Sequence, residues 1–340
     1  MQRVWFNHWF STAYNLIDNI KKADSSNRFY FIGTGKKRMA YKEICEEFYL
    51  EPDVYGKDYI DFCLSFCKRN HINIFVPRKE KLTISKYIKE FKKIGVEVLV
   101  EDNYQLLSIL EDKFKTAKLF NKYNLCKVPE LLIANNLKEF KDNYIYLRNK
   151  YPNDRICFKY AIDEGALSFR VIDNSQDGIS SLNNYIGSKI SYDKTIEILS
   201  SVDTFNPIIQ MIYLNGKEIS IDSLNTNKGF IGCARTKIEN RLTKIEDSSE
   251  YIKISENFAK ITNIKHPYNL QLREHNGELY LLEVNTRMAG GTYKDSLMGY
   301  NFPYLALLNL LNEDFEIPQK FGKAYIETYE TIKGVKIWKK

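Results

Sequence analysis

Through its first hundred residues the chain alternates compact apolar runs with amphipathic stretches. Residues 3–7 and 28–33 read as strands, with a helix over 13–22 between them that Ser11 or Thr12 is placed to cap. Residues 57–69 put Ile60, Leu64 and Cys67 on one helical face, and 72–76 is a continuous apolar run of the kind buried on both sides. A helix over 84–93 and a strand over 96–100, entered through Gly95, complete the series. Strand–helix alternation at this spacing predicts a small parallel sheet with crossover helices.

Helical segments follow at 104–110 and 113–123, then a strand at 130–133 opened by Pro129. A helix over 137–150, a strand over 155–160, a polar loop over 161–167 and a strand over 169–172 come next. From Pro207 the texture becomes antiparallel, with strands at 208–214, 217–224 and 229–235. The first two are expected to form a hairpin through Asn215-Gly216, a dipeptide suited to a two-residue turn. A helix over 249–262 precedes a second hairpin, 268–274 with 278–284, turning at Asn276-Gly277. A helix near 303–311 and a strand-like tail at 323–329 end the chain. The expected fold class is α/β plus α+β, with an N-terminal parallel-sheet domain over 1–104 and a second domain over 105–340. The second domain is expected to hold a small lid, about 127–210, and a larger antiparallel-sheet base.

The second hairpin carries the sharpest chemistry. Its first strand holds Gln271; its second holds Glu283 and Asn285, followed by Thr286, Arg287, Met288, Ala289, Gly290 and Gly291. Strand side chains alternate, so Glu283, Asn285 and Arg287 are expected on one face, with Gln271 in reach across the ladder. Residues 279–284 are otherwise apolar, and a polar trio at the end of such a strand is unusual for plain surface. Magnesium takes hard oxygen ligands and fills its shell with phosphates and water. Gln271, Glu283 and Asn285 offer such oxygens, and Arg287 offers a fork for a phosphoryl oxygen or a carboxylate. Gly290-Gly291 lets backbone come close to an anion.

The segment LLEVNTRMAGGTYKDSLMGYNFP resembles the signature that closes the active site of ATP-grasp enzymes. It is most similar to the carbamoyl-phosphate-synthetase and carboxylate–amine ligase branch, where a glutamine takes the first metal position, as Gln271 would. The opening VWFNHWFSTAY resembles a stand-alone ATP-grasp group found near tellurium-resistance-type genes. The resemblance implies a domain preceding the ATP-grasp unit, ATP with Mg²⁺ or Mn²⁺ bound between lid and base, and transfer of phosphoryl to a carboxylate. The acyl phosphate would then meet an amine or another nucleophile, so small-molecule carboxylate and amine substrates are implied.

Further residues follow from the same resemblance. Lys113, after Glu111-Asp112, and Lys159, on an apolar strand, match the two lysines that reach the ATP phosphates. Residues 163–170 match the loop that folds over the phosphates, with Gly165 and Ser168 as its small residues; the family usually has more glycine there. Residues 208–218 match the hinge: main chain near Met211 and Leu214 for the adenine edge, and Glu218 for the ribose hydroxyls. The family often has an acidic side chain where Met211 stands, and Gln210 is a candidate to compensate. Arg235 and Lys237 stand where the family has basic residues near phosphate or substrate, and together with Arg287 they are the catalytic candidates.

Composition narrows the picture without changing it. The 340 residues are 44% hydrophobic, enough for packed cores. The net charge of +7 comes from 50 basic and 43 acidic residues spread along the chain, which suits a nucleotide ligand more than a nucleic-acid partner. Six cysteines show no zinc or redox spacing and are expected to be reduced, in a cytoplasmic protein. No run is apolar enough for a membrane helix or a signal peptide. Gly33-Thr34-Gly35-Lys36-Lys37 lacks the upstream glycine and the Ser/Thr of a phosphate loop. A small-molecule kinase or carboxylase of the same fold and an ATP-sensing module without turnover stand as alternatives. Assembly is open, a homodimer being the commonest form among oligomers.

Overall fold

The computed structural model describes residues 1–37, 39–162, 168–176, 188–239 and 241–329. Packing divides the chain into two compact units that interleave along the sequence. One comprises Met1–Val100, Lys217–Leu270 and Arg287–Lys340; the other comprises Glu101–Gly216 and Gln271–Thr286.

The first unit begins with β1 (Gln2–Asn7), β2 (Phe29–Gly35), β3 (Glu47–Leu50), β4 (Ile74–Val76) and β5 (Glu97–Val98). They form a sheet in the order β3-β2-β1-β4-β5, every pair parallel. Alternation along β1 serves both faces. Val4 and Phe6 meet helix Ala13–Ala23, whose Ala13, Leu16, Ile17 and Ile20 recur at helical spacing and are fully buried. Trp5 points the other way, stacks on Phe75 with centroids 4.0 Å apart and packs against Phe66 of helix Gly56–Arg69. Burying each such side chain is worth about 1.5–3 kcal/mol.

In the second unit lie β6 (Leu132–Ala134), β7 (Ile156–Tyr160), β8 (Arg170–Ile172), β9 (Lys189–Ile190) and β10 (Ile208–Ile212). They form a mixed sheet in the order β6-β10-β7-β8-β9, in which only β8 and β9 run parallel. Helix Leu137–Lys150 buries Phe140 and Leu147 on this sheet, and helix Tyr192–Ser200 adds Leu199 to the same core.

The chain then returns to the first unit as β11 (Glu218–Thr226), β12 (Gly229–Lys237) and β13 (Leu242–Glu246), all antiparallel. β14 (Tyr268–His275) lies beside β11 and starts in the first unit; it runs on into the second, where β15 (Glu278–Asn285) lies beside it. β16 (Lys323–Glu327) closes the far edge against β13. Helix Phe302–Leu310 packs Phe302, Leu305 and Leu308 on Leu224, Ile231 and Ile245.

One expected hairpin does not form. β10 pairs with β6 and β7, whereas β11 pairs with β12, so Asn215-Gly216 joins two sheets instead of turning within one. The two-residue turn of that composition needs positive φ at both residues, and neither Asn215 nor Gly216 has it. Gly216 serves close approach: its N–H donates to the Glu274 carbonyl at 3.0 Å, and a Cβ would stand 2.3 Å from that oxygen. Asn276 (φ 50°) and Gly277 (φ 79°) do make the turn, between β14 and β15.

Candidate functional site

β15 ends in the carboxylate and amide that alternation places on one face. Asn285 Nδ2 donates to Glu283 Oε1 at 3.0 Å, and both side chains are half-buried. Gln271 stands half-buried on the adjoining strand β14. The next residue, Thr286, donates its hydroxyl to Glu111. Glu111 lies two residues before Lys113, the first residue of helix Lys113–Lys122, which packs on β15. That helix start is fixed by Asp112, whose carboxylate accepts from the N–H groups of Phe114 (2.9 Å) and Lys115 (3.0 Å). The structure therefore brings the helix that Lys113 opens to the strand that carries Glu283 and Asn285.

Lys159 sits half-buried on β7 opposite Ile209. It shares a face with Cys157, whose thiol is pushed up to about 12 by burial, against the opposing charges of Lys159 and Arg273. Arg273, on β14, was not singled out by sequence pattern. Its Nη1 donates to the Leu214 carbonyl at 3.3 Å, at the hinge end of β10. Leu214 and Met211 are themselves buried, and Met211 pairs with Cys157. Gln210 is fully buried and donates to the Phe140 carbonyl at 3.0 Å, so its side chain anchors a helix and has no surface to offer a ligand. Ser168 Oγ accepts from the Tyr160 N–H at 2.9 Å and joins the two ends of the loop between them. Gly165 lies outside the described residues.

In the first unit, Glu218 opens β11 and Lys237 ends β12, both exposed. Arg287 is half-buried and donates to the Met288 carbonyl at 3.2 Å. Arg235 is placed differently from a surface cation. It is 6% exposed, and its Nη1 donates to Asp222 and, at 2.5 Å, to Asp295 Oδ2. Burial pushes the Asp222 carboxyl up, yet the charge of Arg235 and the hydrogen bonds from Asp295, Arg235 and Thr292 together outweigh it and hold Asp222 below the usual carboxylate range. Burial, joined by the charge of Asp222, pushes Asp295 well above that range despite Arg235. Lys294 is a second residue that sequence pattern missed. Its Nζ donates to Thr243 Oγ1 at 2.9 Å, and burial, then the charge of Arg235, lowers its amine.

The donor set fits a hard divalent cation. Glu283 supplies a carboxylate and Asn285 an amide group beside it, both with hard oxygens. Among the described residues no group of three or more His, Cys, Asp and Glu side chains converges, so amide oxygens would have to complete the set. All six cysteines carry free thiols, and no helix of the described residues is long and apolar enough to cross a membrane.

A sheet-and-hairpin scaffold of this kind, carrying an acid-x-Asn-x-Arg strand end, is similar to known ATP-grasp proteins. Residues 204–332 match the family model described as ATP-grasp in the biosynthetic pathway with Ter operon. The carbamoyl phosphate synthase large chain of Sulfolobus acidocaldarius is 24% identical over 260 residues, 72% of this chain and 22% of that one. The chain thus spans about a fifth of the length of the curated relatives it matches. Among solved structures, the biotin carboxylase domain of 2-oxoglutarate carboxylase from Hydrogenobacter thermophilus superposes with a TM-score of 0.65 at 12% identity, over 95% of this chain and 73% of that one. N5-carboxyaminoimidazole ribonucleotide synthetase from Thermotoga maritima gives 0.61 at 13% identity, over 96% and 80%. The family match thus covers residues 204–332, and the superposed structures share the fold.

Proposed function

We propose that the chain is an ATP-dependent ligase that phosphorylates a substrate carboxylate and passes the acyl phosphate to an amine or other nucleophile. The observation that carries this reading is the Glu283–Asn285 pair at the end of β15, tied through Thr286 and Glu111 to the helix that Lys113 opens. Similarity to a carbamoyl phosphate synthase supports carboxylate chemistry, and one of the superposed structures is a complex with MgADP and bicarbonate. In this reading residues 1–104 are a domain that precedes the ATP-grasp unit of 105–340, with its lid over about 127–210.

The second unit supplies the charge that a nucleotide needs. Lys113 and Lys159 neutralise phosphate oxygens, and Ser168 adds a hydroxyl to them. Gln271, Glu283 and Asn285 would hold Mg²⁺ or Mn²⁺; such an ion, when bound, neutralises charge on the phosphates. Main chain near Met211 and Leu214 pairs with the adenine edge. Glu218 takes the ribose hydroxyls, and Arg287 and Lys237 take the phosphoryl group or substrate. A carboxylate oxygen bonds to the γ-phosphorus as ADP leaves. The nucleophile then bonds to the acyl carbon, phosphate leaves, and one proton is released. Catalysis of this kind is positioning and charge neutralisation. A ligated product separates a ligase from a kinase or carboxylase, which would leave a stable phosphorylated or carboxylated one.

Calorimetric titration with a non-hydrolysable ATP analogue tests the site directly. Binding is expected to be tighter with Mg²⁺, and Glu283→Gln is expected to abolish that dependence. Lys159→Ala is expected to weaken binding by about ten- to a hundredfold, the worth of one charge-assisted hydrogen bond. Equal binding with and without Mg²⁺ in both proteins would remove Glu283 from the metal site, and an unchanged dissociation constant would remove Lys159.

A further inference from the structure

The loop that follows β15 in sequence is confined at two neighbouring glycines. A carbon added at Gly290 would stand 3.1 Å from Thr12 Cγ2, and one at Gly291 would stand 3.2 Å from Arg235 Nε and 3.3 Å from its Cζ. Thr12 precedes helix Ala13–Ala23, and its side chain makes no capping hydrogen bond. Arg235 has no room to step aside. Besides Asp222 and Asp295 on Nη1, its Nη2 donates to Ser220 Oγ at 3.2 Å. Asp222 is held in turn by Asn269 Nδ2 at 2.8 Å and by the hydroxyl of Thr292, the residue after Gly291, at 2.8 Å. Asp222, Asn269, Thr292 and Asp295 are each 2% exposed or less. Among the described residues the N–H groups of Gly290 and Gly291 meet no protein acceptor.

We propose that Arg235, held by Asp222 and Asp295, is a positioning residue that shapes the Gly290–Gly291 backbone to receive the phosphoryl group in transfer, without itself touching the nucleotide. This deepens the reading of the chain as a MgATP-dependent ligase and rests on it. A guanidinium with three of its five N–H groups given to two carboxyl groups and a serine, and with its charge faced by buried Asp222, is a poor partner for a phosphate. A phosphate brought against it would also meet Asp222. Two successive glycine N–H groups without protein acceptors are the better anion cradle, because no side chain keeps an oxygen away. The glycine at 291 is then required by Arg235 itself, which fills the space a methyl would take.

MgADP with aluminium fluoride, a mimic of the transferring phosphoryl group, is the probe, read as the ADP dissociation constant with and without fluoride. The wild type is expected to hold ADP at least tenfold more tightly with fluoride. Arg235→Lys and Gly291→Ala are each expected to lose that enhancement while binding MgADP alone within twofold of wild type. The double variant is expected to lose no more than either single one, since lysine vacates the space the added methyl needs. Thr292→Val, which withdraws one hydroxyl from Asp222, is expected to lose part of the enhancement and serves if Arg235→Lys does not fold. Enhancement kept in all these variants overturns the proposal. So does a tenfold loss of MgADP binding alone in Arg235→Lys, which would put the guanidinium on the nucleotide. A wild type that binds MgADP but gains nothing from fluoride overturns it too, while one that binds no MgADP overturns the nucleotide reading first.

Discussion

Arg235 places one nitrogen against two carboxylates where water does not reach, and the two carboxyls answer differently. Asp222 is held below its usual range, and Asp295 is pushed well above it by burial and by the charge of Asp222. Removing the cation strands that charge: Arg235→Met is expected to destabilise the fold by about 3–5 kcal/mol at pH 7, read from urea unfolding. The pH dependence has a definite sign. Because the folded value of Asp222 lies below its unfolded value, its contribution is complete above about pH 3.9 and is lost as pH falls through the folded value. The gap between wild type and Arg235→Met should therefore narrow below about pH 4; a gap of the same size at pH 3 and pH 7 would show that Asp222 carries no linked charge. Sequence could supply Glu283 and Asn285 because alternation alone puts them on one face. It could not supply the commitment of Arg235, whose partner Asp295 lies 60 residues away along the chain. Lys294 escaped for the same reason, since nothing local marks a lysine as half-buried.

At the scale of elements, two Asn-Gly pairs show how far a dipeptide can be read. Asn276-Gly277 turns β14 into β15 as its composition suggests, with positive φ at both residues. Asn215-Gly216 does not, because β10 finds its partners in β6 and β7, and tertiary pairing overrides local turn preference. The two glycines should therefore respond differently to alanine. Gly277→Ala places a Cβ in left-handed backbone with open space around it and is expected to cost about 1–2 kcal/mol. Gly216→Ala drives a Cβ into the Glu274 carbonyl and is expected to cost more, about 1–3 kcal/mol from overpacking with the loss of the Gly216–Glu274 bond added. Thermal melts of the two variants decide it; Gly277→Ala as the more damaging change would mean that the approach at Gly216 is not tight. Among the elements without a legible pattern, two show why. β13, five residues reading LTKIE, is too short for alternation to stand out, and helix Tyr192–Ser200 lies among polar residues that blur its period.

For the whole molecule, sequence order and packing order diverge. A reader of the chain divides it into contiguous stretches, whereas the compact units are interleaved, because β14 begins in one and continues into the other. Packing of that kind rests on long-range pairings that no window of residues displays. The proposed ligand roles fall on Lys113, Lys159, Glu283 and Asn285 and on Glu218, Arg287 and Gly290-Gly291. Binding stabilises the elements that hold the ligand, since a ligand held only by the folded state adds about 2.7 kcal/mol at a hundred times its dissociation constant. Hydrogen exchange locates that gain. With a non-hydrolysable ATP analogue and Mg²⁺, amides of β7, β10 and β15 and those of 287–291 should all exchange more slowly, and Glu283→Gln with EDTA should erase the part due to the ion. Slowing confined to β7, β10 and β15 would leave the first unit without a nucleotide role, and the assignment of Arg287 and of the glycine loop would fall with it.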